Sequence, residues 1–258
     1  MTPLEVTRPV GVGAPDRSLG RLGPALAWLA AAQGAWPPHA PATVRHLRLG
    51  GTGPRDGDPT DGNPTDGNPT DGNPADGDLQ AGFAQADDLA DAGVDLVVLT
   101  ATGDQVPGIV VAATLLYLEP VHAVGTVATA DWVAVTTRVR DGMRAAMAHL
   151  GDPVGLLRAV ASPDLTRATG LLAQCAVRRT PVLLDGSATV CAAALVAERL
   201  APGGATWWLA GQAPPNPAAA QALTAVGLTP LLDLQLSLPL GADLALSVLL
   251  QAVEVVGG

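Results

Sequence analysis

Between Ala176 and Leu234 short apolar runs of β-type residues alternate with alanine-rich segments long enough for helices, and that alternation confines the chain to few folds. The runs are Pro181–Leu184, Thr206–Ala210 and Pro230–Leu234. Strands separated by helix-length crossovers pair in parallel, and helices packed on both faces leave such strands apolar throughout. The predicted fold is α/β, a Rossmann-like parallel sheet flanked by helices, with a small helical part built from the N- and C-terminal segments. A chain of 258 residues can bury such a core without disulfides or metals. With aromatics at 3%, that core is mainly Ala, Val and Leu. The layout fits a protein that handles phosphate ligands, yet the charged residues such chemistry needs are missing from its loops.

Upstream, Asp16–Gly34 reads as a helix with Leu19, Leu22, Leu26 and Leu29 on one face, and Val44–Leu49 as a short strand. From Asp56 to Asp78 a five-residue unit recurs: DGDPT, DGNPT, DGNPT, DGNPA, DGD. Each unit sets Asp-Gly and Asn-Pro turn signals back to back and offers nothing apolar to bury, so its ordering entropy goes uncompensated. Residues 54–78 are expected to be a disordered acidic linker between an N-terminal helix and strand (1–53) and the main α/β domain (79–258). Beyond it come a helix at Leu79–Ala92, a strand at Val94–Leu99, a loop at Thr100–Gly108, and a helix at Ile109–Leu118. A strand at Val121–Val127 and helices at Ala130–Leu150, Asp164–Ala176 and Ala242–Val256 complete the pattern. The Thr100–Gly108 loop sits at a strand's carboxyl end, where open α/β sheets hold ligands.

Charge excludes several functions. The net charge is −10 and the chain contains no lysine, all 14 basic residues being arginine. Such a surface repels phosphate backbones, so neither nucleic acid nor an anionic membrane is an expected partner, and Schiff-base chemistry by lysine is ruled out. Cys175 and Cys191 lie in apolar helical text, and His39, His46, His122 and His149 have no metal-ligand spacing; no metal and no cofactor are expected. The start MTPLEVTRPVGVG lacks a basic region followed by an apolar one, and no apolar run reaches the ~18 residues of a membrane span, so a cytoplasmic location is expected. Trp207-Trp208 falls on an expected strand, which would turn one indole to the core and the other to a neighbouring helix or solvent.

The ordered blocks Ser18–Leu22, Val44–Leu49, Asp91–Val98, Gly151–Leu157, Thr169–Gly186 and Leu228–Leu234 resemble, in the same order, the family of nicotinate-nucleotide:dimethylbenzimidazole phosphoribosyltransferases of cobalamin biosynthesis. Ser18-Leu19-Gly20-Arg21-Leu22 matches the family's "SLGRLE", and the likeness covers most of the chain outside the repeats. The resemblance implies a transfer in which a carboxylate takes the proton from a benzimidazole nitrogen while the other ring nitrogen attacks C1′ of nicotinate mononucleotide. In the family that glutamate lies in "RLGEGTGA"; here the matching text is Ser237–Leu244, with Leu240 at the glutamate position and Gly241 retained. A second family glutamate, in "GEMGxxNTTPAAA", matches Ala101 beside Gly103. The glycine loop "GRGTG" has become Gly125-Thr126-Val127-Ala128-Thr129, and "GHRSxEPAH" has become Gly211–Ala219. The resemblance also implies the loss of helices between the first strand and Asp91, where the repeats stand.

Two acids lie beside the altered loops, Asp104 and Asp243, each displaced from the family position. A positioned general base contributes ~10²–10⁴ in rate, and a shift of one or two residues turns a side chain elsewhere, so Asp104 is expected to cap or solvate a loop and Asp243 to cap the last helix. Asp164, Asp185 and Gly186 persist at family positions; Asp185, at a strand end, can touch a ribose or cap the helix starting at Ser187. The expected ligand residues are thus Gly103, Gly125, Asp164, Asp185, Gly186, Gly211 and Gly241, with no intact catalytic residue. Expected partners are nicotinate mononucleotide or a benzimidazole-type base, and a second copy or an intact family member in a homodimer or heterodimer. The alternative is an active phosphoribosyltransferase with a relocated carboxylate base.

Overall fold

A computed structural model describes residues 2–11, 17–50, 73–126 and 129–257. Its sheet orders four parallel strands β1-β2-β3-β4: β1 (Val44–Leu49), β2 (Leu96–Ala101), β3 (Val182–Leu184) and β4 (Trp208–Ala210). Helices α1 (Leu22–Gln33) and α2 (Pro74–Asp91) flank β1 in sequence. Helices α3 (Val106–Leu115), α4 (Pro120–Val124), α5 (Thr129–Ala146), α6 (Pro153–Val160) and α7 (Pro163–Arg178) lie between β2 and β3. Then come α8 (Ala188–Leu200), α9 (Pro217–Ala225) and α10 (Gly241–Gly257).

Strand periodicity divides the core between the two faces. Val97, Leu99, Val182, Leu184, Trp208 and Ala210 enter one cluster, with α3, α7 and α8. Leu96, Val98, Leu183 and Leu209 enter the other, against Leu26 and Leu29 of α1 and Leu249 and Val253 of α10. The two chain ends therefore supply the helical layer of one face, as expected from the sequence. Every side chain from Leu96 to Leu99 is wholly buried, which explains why this strand reads as an unbroken apolar run.

Several expectations need correction. The strand expected at Val121–Val127 is absent over its described residues 121–126: Pro120 starts a single turn of helix, and Gly125, at φ 68°, ends it in a conformation that glycine adopts without strain. Pro230–Leu234 forms no full strand; the Leu231 and Leu232 N–H groups donate to the Ala210 and Gly211 carbonyls and the Ala213 N–H to the Leu232 carbonyl, leaving one parallel bridge between Gln212 and Leu232. Trp207 belongs to a 3₁₀ turn, Gly204–Trp207, so both indoles enter the same cluster. The described end of the repeats, residues 73–78, is not linker. Asn73 caps α2 by accepting the Ala75 N–H at 3.0 Å, Pro74 takes the first helical position and Asp76 lies in the first turn, so residues 74–78 are helical. The remainder of the expected linker, residues 54–72, lies outside the described residues.

Helices α2 and α7 approach closely through Gly82 and Gly170, and Arg178 ties them by ion pairs to Asp87 at 2.8 Å and to Asp91. Cys175 and Cys191 are free and wholly buried; burial pushes the Cys175 thiol up to about 12 and the Cys191 thiol well above its ordinary value, so both act as small hydrophobes. Among the described residues no helix is long and apolar enough to cross a membrane.

Candidate functional site

Parallel strands end at one edge, and past that edge the chain encloses a cavity of about 400 Å³. Ala101, Thr102, Gly103 and Gln105 come from the end of β2 and the loop after it, Asp185 to Ala188 from the turn after β3, and Gln212 and Asn216 from the segment after β4. Leu236, Ser237, Leu238 and Pro239 form the far wall. Ile109, Val124 and Val135 make the lining largely apolar.

Asp185 follows β3 directly and is 3% exposed. Its Oδ1 accepts the Ser187 N–H at 2.9 Å and the Ser187 hydroxyl at 2.7 Å, and its Oδ2 accepts the Ala101 N–H at 3.2 Å. Burial pushes this carboxyl up to about 6; the three donors oppose that rise, and the charge of Asp243 adds to it. Gln212, 1% exposed, donates its amide N–H to the Leu236 carbonyl and accepts the Leu236 N–H, each at 3.0 Å, and so fixes the far wall. Gly241 permits this, since any side chain there would overlap the Gln212 amide.

Three helix amino ends border the cavity, and two of them, α8 and α9, are capped by their own N-cap side chains. Ser187 accepts the Val190 N–H at 3.3 Å at the start of α8. Gln105 accepts the Thr189 N–H at 3.1 Å across to the same turn. Asn216 accepts the Ala219 N–H at 3.1 Å at the start of α9 and donates to the carbonyls of Ala123 and Val124, both at 3.1 Å. At α3, Asp104 accepts the Val106 N–H at 3.1 Å.

Of the residues singled out in the sequence, Ala101, Gly103, Asp185 and Gly186 meet at the cavity. The others lie outside its lining. Leu240 is 48% exposed, beyond the wall formed by residues 236–239. Asp243 lies within the first turn of α10 instead of capping it, and pairs with His46 of β1 at 3.0 Å. Asp104 does cap its loop and also pairs with Arg138. The Asp164 carboxylate rests against two glycines: a Cβ on Gly50 would lie 2.7 Å from its Oδ2 and one on Gly103 2.5 Å. Burial raises its pKa, opposed by Arg167 and aided by Asp78. Gly125 abuts the Pro217 ring, a Cβ there falling 2.7 Å from Pro217 Cγ. Gly211 lets β4 pass close to Ala242 and Ala245 of α10. Thr126 reaches the lining, while Val127 and Ala128 lie outside the described residues.

Gln105, Ser187, Gln212 and Asn216 are site residues that sequence reasoning missed. Ser187 and Asn216 carried a signal, each being a capping residue type just ahead of a helix. Gln212 lies in Gly211–Ala219, the stretch matched to the family's "GHRSxEPAH" loop, but its pairing with Leu236 had no signal because tertiary packing sets it.

The buried carboxyl has a consequence for stability. Asp185 ionises near 3.8 when exposed and near 6 in the fold, so between those values the folded state holds the extra proton and stability falls as pH rises. The shift corresponds to about 3 kcal/mol. Urea unfolding of the wild type and Asp185→Asn at pH 4 and pH 7 reads most of this: the wild type should lose about 2 kcal/mol relative to the variant over that interval, the unfolded carboxyl being already partly ionised at pH 4. Any strain of the asparagine amide against the Ala101 N–H is common to both pH values and drops out. A stability difference that does not change with pH would mean that the carboxyl is not desolvated.

The family model described as phosphoribosyltransferase matches residues 67–258. Nicotinate-nucleotide–dimethylbenzimidazole phosphoribosyltransferase of Mycobacterium avium (strain 104) is 47% identical over 182 residues, covering 68% of this chain and 52% of that protein. The protein of the same name from Mycobacterium tuberculosis (strain ATCC 25618 / H37Rv) is 46% identical over 182 residues, covering 68% and 50%. The chain thus spans about half the length of the curated relatives it matches. The crystal structure of CobT from Thermus thermophilus superposes with a TM-score of 0.72 over 96% of this chain and 93% of that one, at 23% identity, a likeness of fold.

Proposed function

We propose, from the premise that this chain belongs to the nicotinate-nucleotide–dimethylbenzimidazole phosphoribosyltransferase family, that it is a ligand-binding member which keeps the family's frame and transfers no phosphoribosyl group at a useful rate. One observation carries the reading. The leucine at the family's proton-accepting position is half exposed beyond the cavity wall, and the two acids near the altered loops are engaged elsewhere, Asp243 by His46 and Asp104 by Arg138. A general base has to reach the proton it removes, to within about 3 Å or through one water. Neither acid lines the cavity. In this reading the protein acts as a binding homologue in cobalamin metabolism, alone, as a homodimer, or as the partner of an intact family member.

The test is direct. Mixed with nicotinate mononucleotide and dimethylbenzimidazole, the protein should release no nicotinate above buffer, and Leu240→Glu alone should not restore release, because the glycine loop is altered too. One acid does line the cavity, and it keeps a second reading open: Asp185, titrating near 6, is placed as a proton acceptor. Steady nicotinate release by the wild type, abolished in Asp185→Asn, would establish that reading in place of the first.

A further inference from the structure

We infer that residues 233–240, the far wall of the cavity, are a flap that swings out as a unit when the Gln212 amide releases Leu236, so that one buried side chain governs access to the cavity. The inference rests on the proposed function only in taking the cavity as the ligand site; the motion itself is measured without a ligand.

Both ends of the flap and its middle converge on Gln212. At one end Leu232 makes a parallel bridge with the Gln212 backbone, its N–H bonded to the Gly211 carbonyl and its carbonyl to the Ala213 N–H. At the other end Gly241 packs so closely that a Cβ there would overlap the Gln212 amide. Between them the Leu236 N–H and carbonyl pair with the Gln212 side-chain oxygen and nitrogen, each at 3.0 Å. A short loop whose ends lie close together is an Ω-loop, a unit that can move without its neighbours. Its flanks are firm: Leu231 is buried with its N–H on the Ala210 carbonyl, and Ala242, Ala245 and Leu249 of α10 are wholly buried. Motion is thereby confined between Leu232 and Gly241.

Little else holds the flap shut. Among the described residues, the hydrogen bonds that join residues 233–239 to the rest of the fold are the two from Gln212. The apolar side chains that could seal the wall are left open to solvent, Leu234 being 42% exposed, Leu238 62% and Leu240 48%. Segments with so little buried apolar area open at a lower free energy than the core. Gln235 adds strain, its φ of 52° lying in the left-handed region that residues other than glycine seldom adopt. The opposite wall has no such freedom: Gln105 bonds the Gly103 carbonyl and the Thr189 N–H, and Thr102 bonds the Leu49 carbonyl through both its N–H and its hydroxyl. The latch is also reversible. A buried amide stripped of its partners is destabilising, but Gln212 lines the cavity, where water reaches the freed amide as the flap moves.

Amide hydrogen exchange resolved to single residues tests the motion in the unmodified chain and in Gln212→Leu and Gly241→Ala. The second variant keeps Gln212 and drives its amide off Leu236 by overlap, so the two break one latch in different ways. In the unmodified chain the Leu236 N–H should exchange at least about a hundredfold faster than the amides of Leu96–Leu99, and low urea should hardly change its rate while speeding theirs steeply. Each variant should raise the Leu236 rate at least about tenfold and leave it insensitive to low urea. Access is read from Ile109→Cys, which puts a thiol in the cavity lining while Cys175 and Cys191, wholly buried, report any opening of the whole fold. Its reaction with 5,5′-dithiobis(2-nitrobenzoate) should quicken at least about tenfold when Gly241→Ala is added, with the two native cysteines still silent. A Leu236 amide that follows Leu96–Leu99 in rate and urea dependence, an unchanged rate in both variants, or equal labelling with and without Gly241→Ala would each overturn the inference. Should a variant fail to fold, the urea dependence in the unmodified chain still decides whether the flap opens alone. None of these readouts involves nicotinate release, so the non-catalytic reading and this one can fail separately.

Discussion

Gly82→Ala should destabilise the protein by about 1–3 kcal/mol, whereas Gly77→Ala, earlier on the same helix, should leave it unchanged or slightly more stable. Helix propensity alone favours alanine over glycine by about 1 kcal/mol at either position, so packing decides. A Cβ on Gly82 would overlap the Arg167 carbonyl oxygen and lie 2.8 Å from the Leu171 nitrogen. Gly170 answers from α7, where a Cβ would overlap the Leu79 carbonyl oxygen and lie 3.3 Å from the Gly82 Cα. These are backbone atoms, which no rotamer change moves aside. Helices α2 and α7 would have to part, loosening the Arg178 pairs with Asp87 and Asp91 and the 2.8 Å bond from Gln174 to Asp87. Gly77 is exposed with nothing within 4 Å of a new methyl group. Urea midpoints of the two single variants settle the matter, and coincident midpoints would mean that the helices lie further apart.

Trp208→Ala should cost more, about 3–5 kcal/mol, as expected for deleting a large aromatic from a packed core. Trp208 leads the fully buried side chains by volume and lies on β4, with Gly204 so close to its ring that a Cβ there would fall 3.0 Å from Cζ2. Its indole Nε1 is buried without a hydrogen-bond partner among the described residues. An unmet donor of this kind lowers stability by about 1–3 kcal/mol. Trp208→Phe keeps a ring and removes that donor, so its cost should be well under half that of alanine. Trp207 offers the contrast, donating its Nε1–H to the Thr7 carbonyl at 2.8 Å and tying the N-terminal segment to the core. If chemical denaturation gives Trp208→Phe the same loss as Trp208→Ala, the indole nitrogen has a partner after all.

What could be read from sequence depended on whether a feature was local. The parallel sheet and the helical layer from the chain ends were legible because strand and helix periodicities are properties of consecutive residues. Val121–Val127 misled because β-branched residues flank a short segment whose conformation is set by Pro120 and by the Pro217 ring against Gly125. At the site, Asp185 was legible as an acid at a strand end, and the resemblance to a family placed Leu240 and Ala101. The depth of burial of Asp185 was not legible, since its surroundings come from β2, β3 and β4 together. The same holds for Gln212, whose role exists only once Leu236 folds back onto it.

The cap on α2 bears on how this gene can change. Asn73 and Pro74 belong to one copy of a tandem unit whose preceding copies carry the same pair at Asn63-Pro64 and Asn68-Pro69. Replication slippage that adds or removes a whole copy leaves some Asn-Pro immediately ahead of Ala75, so the helix keeps its starting residues whatever the array's length. Minisatellite-like drift in the coding DNA is thereby decoupled from the way α2 begins.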